Sequence, residues 1–82
     1  MPTDQHFIIR SPEDLGRTIG ELRRARGLTQ EQAAVHAGTS RDWIAQLERG
    51  RMSRSFSIVL RIVRRLGGDL VVIPAKVPDG EA

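Results

Sequence analysis

LTQEQAAVHAGTSRDWIAQLERG, residues 28–50, is the stretch that decides the fold. Thr29 and Gln32 stand three residues apart, the spacing at which a cap side chain and its partner each bond the other's orphan backbone amide. That spacing predicts a short helix from Gln30 to Ala37, stopped by Gly38. Thr39 or Ser40 then caps a second helix, Ser40 to about Glu48, which Gly50 terminates. Ala33, Ala34 and Gly38 are small and let the two helices cross closely. Ile44 and Leu47, one turn apart, face inward.

Two short helices joined through a glycine turn, the second rich in polar outward residues, form the layout of a helix-turn-helix. In that layout the first helix crosses the DNA backbone and the second enters the major groove. Anchoring by Ile44 and Leu47 frees Ser40, Arg41, Asp42, Ala45 and Gln46 to face outward.

Upstream, Ser11-Pro12-Glu13-Asp14 announces another helix. Ser11 suits a cap, Pro12 the first helical position, and Asp14 the place where a capping box wants an acceptor. Leu15, Ile19 and Leu22 give it one apolar stripe, and Gly27 ends it. Gly16 and Gly20 lie inside, where glycine costs about 1 kcal/mol against alanine in an exposed helix. Downstream, Arg51 to Arg54 reads as a loop. Ser55 caps a fourth helix with Phe56, Val59, Leu60 and Val63 on its apolar face, widened by Ile62 and Leu66. Leu70-Val71-Val72-Ile73 is wholly apolar, β-branched and bounded by Gly68 and Pro74, which favours a strand. His6 to Ile9 reads as a second short strand.

The chain of 82 residues is one domain and, at that size, gains from dimerisation. Expected segments are an N-terminal arm or short strand at 1–10, the helix-turn-helix domain at 11–67 (the motif itself at 30–48), a dimerisation strand at 68–74 and a flexible tail at 75–82. Cysteine is absent, so no disulfide framework or thiolate metal site forms. No apolar run approaches the roughly 20 residues of a membrane span, and MPTDQHFIIR lacks the pattern of a signal peptide. The expected location is cytoplasmic. From Arg17 to Arg65 eleven arginines face four acids, whereas residues 1–16 and 66–82 are each acidic on balance. Positive charge gathered on the middle of the chain is the footprint of a polyanion binder. Charge alone does not separate that from a solvated basic surface.

The pattern L-T-Q-x-x-A, then G-x-S, then I-x-x-L-E-x-G resembles the Xre/Cro-type helix-turn-helix family. The flanks S-P-x-D-L-G, W-I-x-x-L-E-R-G-R and S-x-x-x-V-L-R-I-V-R-x-L-G, followed by a terminal apolar strand, resemble HipB-type antitoxins over about residues 8–74. The resemblance implies a mainly α, lambda-repressor-like domain of four to five helices with a short C-terminal β-strand pairing across a dimer. It implies a homodimeric repressor of a palindromic operator, one that also binds a HipA-like serine/threonine kinase toxin. Two alternatives stand beside it: a stand-alone Xre-family regulator, and a protein-interaction module whose helix-turn-helix no longer binds DNA.

Arg41 is the leading base contact, since its fork grips guanine O6 and N7; the competing role is a phosphate contact or a solvated arginine. Gln46 reads an adenine or a backbone oxygen, with a solvated polar side chain as the competing role, and Ser40 supports Arg41. Asp42, an unusual acid on such a surface, accepts from a cytosine amino group or orients Arg41 or a nearby arginine. Ala45 lets the helix sit deep or touches a thymine methyl. The resemblance gives Gln30 a phosphate contact, beside Thr29 and Thr39. Arg49, Arg51 and Arg54 hold the backbone, where each phosphate contact steepens salt dependence by about one counterion. Trp43 packs on the DNA backbone or wedges beside the first or fourth helix. Glu48 pairs with Arg23, as the resemblance suggests.

The dimer seam is assigned to Leu70, Val71, Val72 and Ile73, with Val59 and Val63 from the fourth helix. The competing arrangement pairs this strand within the chain with residues 6–9. His6 and His36 are too isolated for a metal site. No cofactor is implied, and with neither a nucleophile–base constellation nor a glycine-rich phosphate loop the chain reads as no enzyme.

Overall fold

A computed structural model describes residues 6–76. Six elements follow one another: β1 (Phe7–Ile9), α1 (Pro12–Ala25), α2 (Gln30–Ala37), α3 (Arg41–Glu48), α4 (Arg54–Arg65) and β2 (Leu70–Val72). The fold is therefore mainly helical, with four helices and one two-stranded sheet. Residues 1–5 of the expected arm and 77–82 of the expected tail lie outside the described residues.

Each helix starts where a hydroxyl caps it. Ser11 Oγ accepts the Asp14 amide at 3.0 Å. Asp14 returns a bond, but to the Arg10 amide at 2.9 Å, one residue before the cap. Ser40 Oγ accepts from the Trp43 amide at 3.1 Å. The fourth helix corrects the sequence reading: Ser53, not Ser55, is its cap, accepting from the Phe56 amide at 3.3 Å. Arg54 is consequently the first residue of α4 rather than the last of a loop. Either serine satisfies the cap rule, and the earlier one adds two residues to the helix.

Gly38 ends α2 at φ 71°, the left-handed conformation that lets the chain turn from one helix of the pair to the next. A Cβ there would meet nothing within 4 Å. Its smallness is therefore not what lets the helices cross. Of the other two small residues, Ala34 is buried and Ala33 half-buried. Close approach is needed instead at Gly16 in α1. A Cβ at that position would run into the Leu47 carbonyl oxygen, with the Glu48 carbonyl at 2.8 Å and the Gly50 amide at 2.9 Å.

The core consists of Ile9, Ala34, Ile44 and Leu60, one residue each from β1, α2, α3 and α4. Thr18 joins it from α1, its hydroxyl donating to the Asp14 carbonyl at 2.9 Å, and among the described residues no buried side-chain polar atom is left unpaired. α3 is the hub, packed against both α1 and α2.

β1 and β2 pair antiparallel within the chain, Phe7 opposite Val72, Ile8 opposite Val71 and Ile9 opposite Leu70. The C-terminal strand thus has its first partner in cis, at the N-terminal strand. With side chains alternating between faces, Ile9 is buried while the opposed Ile8 and Val71 are exposed. No helix among the described residues is long and apolar enough to cross a membrane.

Candidate nucleic-acid interface

The α2–α3 pair presents its residues as two faces. Ile44 is buried and Leu47 half-buried against the core, which turns the other face outward. Arg41, Asp42 and Trp43 are exposed at the start of α3, and Ala45 and Gln46 are half-buried behind them. Trp43 keeps 52% of its surface in water, so it is neither wedged in the core nor free of it. Thr39 and the arginines Arg49, Arg51 and Arg54 are exposed around this face. Among the described residues, none of Arg41, Arg49, Arg51 and Arg54 forms an ion pair. Four unneutralised guanidinium groups make the surface electropositive and leave their donors open to phosphate or base oxygens.

Asp42 does not orient Arg41. Its Oδ2 accepts from Gln46 Nε2 at 3.1 Å, one helical turn on, so it restrains the amide instead. The i, i+4 spacing was the sequence signal for this pair. Ser40 has its oxygen engaged by the α3 cap. Thr29 is a cap as well: its Oγ1 accepts from the Gln32 amide at 3.0 Å, and Gln32 Oε1 accepts from the Thr29 amide at 2.8 Å.

Behind this face lies a polar clasp. Arg23 donates from Nε to Glu48 Oε2 at 2.6 Å and from a terminal nitrogen to Oε1 at 3.1 Å. Its other terminal nitrogen reaches the Leu28 carbonyl at 2.9 Å. Gln30 Nε2 donates to Glu48 Oε1 at 3.2 Å. The residue expected on a phosphate is therefore tied to the clasp, a link no spacing in the sequence announces. The Arg23 bonds hold the Glu48 carboxyl below the usual carboxylate range, against the opposing effect of burial, and the Gln30 bond adds to them. Among the described residues, no group of histidine and carboxylate side chains is placed to hold a metal ion.

Two short helices at a glycine turn, clasped behind and open in front, define a helix-turn-helix domain. The family model for the helix-turn-helix domain matches residues 14–75, and the chain belongs to that family. An uncharacterized HTH-type transcriptional regulator of Methanothermobacter thermautotrophicus is 47% identical over 49 residues, 60% of this chain and 71% of the relative. Two uncharacterized HTH-type transcriptional regulators of Sinorhizobium fredii are also similar. One is 34% identical over 53 residues, 65% of this chain and 69% of the relative. The other is 28% identical over 65 residues, 79% and 86% of the two chains. No solved structure matches the chain.

Proposed function

We propose that the protein is a sequence-specific DNA-binding transcriptional repressor that reads a palindromic operator as a homodimer. The observation that carries this reading is the start of α3, where exposed Arg41 forms no ion pair among the described residues and stands above a buried Ile44 anchor. Arg41 and Gln46 read bases, with Ser40, Asp42 and Ala45 in support. Arg49, Arg51 and Arg54 hold phosphates, with Thr39 and Trp43 beside them. Gln30, the first residue of α2, and its cap Thr29 stand where the start of the helix meets the DNA backbone, the usual anion site of a helix start.

Support for the dimer comes from apolar surface. Val59 and Ile62 are exposed on α4 and Leu66 at its C-cap, the last at 82%, as are Val71 and Ile73 at the C-terminal strand. Among the described residues β2 pairs with β1 alone, on one edge, which leaves its other edge for a twofold mate. A twofold pairing there sets two recognition helices about 34 Å apart, one turn of DNA. The test is binding to a selected operator by wild type and Arg41→Ala, alongside the mass in solution. An unchanged Arg41→Ala affinity together with a monomeric mass would remove the reading.

A second reading adds a toxin partner. The S-P-x-D-L-G opening and the α4 pattern, shared with HipB-type antitoxins, favour a repressor that also neutralises a HipA-like kinase and represses their common operon. A stand-alone Xre-family regulator is the alternative. Co-expression with the neighbouring open reading frame decides between them. A stable complex with a kinase-like product supports the antitoxin, and free protein beside a soluble, active kinase rules it out.

A further inference from the structure

A groove of about 480 Å³ lies between the start of α1 and the second half of α4, lined by Arg10, Pro12, Leu60, Arg61, Arg64 and Arg65. All four arginines are exposed, while Leu60 is buried beneath them. Arg10 reaches Asp69 at 3.5 Å. Among the described residues no acid pairs with Arg61, Arg64 or Arg65. Asp69 offsets the charge of Arg10, while Arg61, Arg64 and Arg65 add like charges that no acid among the described residues pairs.

The groove is apart from the DNA-reading end of α3. A Cβ on Gly50, just past α3, would stand 3.0 Å from Glu13 in the first turn of α1. The start of α1 therefore packs at the far end of the recognition helix, about 12 Å along its axis from Arg41. We infer that this groove binds a small phosphate-bearing ligand of the pyrophosphate class, such as the diphosphate of a nucleotide. A single carboxylate offsets one guanidinium, whereas adjacent phosphates bring several charges and many acceptor oxygens. Arg61 and Arg65 are one helical turn apart, so their forks reach neighbouring oxygens from one side. Arg10 closes the other, held by its amide bond to Asp14. The volume is in the range of small-molecule sites.

The probe is inorganic pyrophosphate, titrated into the full chain at about 0.15 M salt so that loose surface attraction is screened. Arginine side-chain Nε–H signals are read by NMR and the affinity by calorimetry. The expected result is saturable binding that moves the Arg61, Arg64 and Arg65 signals ahead of those of Arg41, Arg51 and Arg54. Arg61→Gln with Arg64→Gln weakens it about tenfold or more. Both are exposed positions, and circular dichroism verifies the fold. Equal affinity in the double variant overturns the assignment, as does movement of the Arg41, Arg51 and Arg54 signals alone. A groove that answers to an acidic peptide or duplex DNA but not to pyrophosphate overturns it too.

Discussion

Arg23 and Glu48 lie 25 residues apart in sequence and meet through two hydrogen bonds, 2.6 and 3.1 Å, with side chains 15% and 12% exposed. The pair ties the last turn of α1 to the last residue of α3, and Gln30 brings the first residue of α2 to the same carboxylate. One acid thus fixes the three helices that aim the recognition surface. Replacing Glu48 by Ala leaves the Arg23 fork half-buried and short of an acceptor, and should destabilise the protein by about 1–3 kcal/mol. Urea unfolding of Glu48→Ala, Arg23→Ala and the double variant checks this. The double variant should lose less than the sum of the singles, because they share one interaction.

Acid should act through the same carboxyl. Glu48 has its folded pKa lowered, first by the Arg23 hydrogen bond, and Asp14 has its own lowered, first by the Arg10 amide. A depressed folded pKa contributes stability that is complete above the unfolded value, about 4 for carboxyls, and is lost as pH falls through the folded one. The urea midpoint should therefore fall as pH is lowered from about 5 toward 3. Glu48→Gln should show a shallower fall. An equal slope in that variant assigns the acid sensitivity to other groups.

Gly16 and Gly20 should respond differently to alanine. At Gly16 the obstacle is backbone, the Glu48 carbonyl at 2.8 Å and the Gly50 amide at 2.9 Å. Overpacking against an unyielding wall costs about 1–3 kcal/mol, more than the ~1 kcal/mol alanine returns in helix propensity. At Gly20 the neighbours are the Arg24 fork and the Glu48 carboxylate at 3.2–3.3 Å, flexible side-chain ends. Gly20→Ala should come out near neutral. Thermal melts of the two variants give the comparison.

Much of this was legible in the residues because it is local. Caps at Ser11 and Thr29 follow from hydroxyl spacing, the third is narrowed to Thr39 or Ser40 with Ser40 chosen by the fold, and the αL glycine of the turn follows Ala37 as expected. The fourth cap slipped by two residues because Ser53 and Ser55 both fit the rule and only the fold chooses. Strand pairing was harder. Leu70 to Ile73 reads as a strand from composition, but whether its partner is Ile8 in cis or a second copy depends on how the chain folds back, which no local pattern encodes. The Asp42–Gln46 bond joins residues one turn apart, yet the sequence reading places Asp42 on a cytosine or beside Arg41, and the engagement of Gln30 by Glu48 has no local signal at all, since 18 residues separate them.

The apolar surface of α4 should control assembly. Ile62→Asp places a charge on a side chain that is 50% exposed in the single chain, so the monomer fold tolerates it. A dimer seam would not, since burying an unpaired carboxylate costs several kcal/mol. Light scattering should show the mass halved at micromolar concentration, with unchanged circular dichroism.

Phosphate and base contacts should separate in salt. Arg54→Ala should weaken all DNA sequences alike and lower the salt slope by about one. Arg41→Ala should cost about 1–3 kcal/mol and relax preference at one base pair per half-site.

The most direct test is selection from a random duplex pool by wild type and Arg41→Ala at fixed salt. Enrichment by the wild type of a twofold-symmetric site, its half-sites about 10 base pairs apart, is the expected result, with the preference at one position in each half lost in the variant. No enriched site, or the same site selected equally well by both proteins, would contradict it.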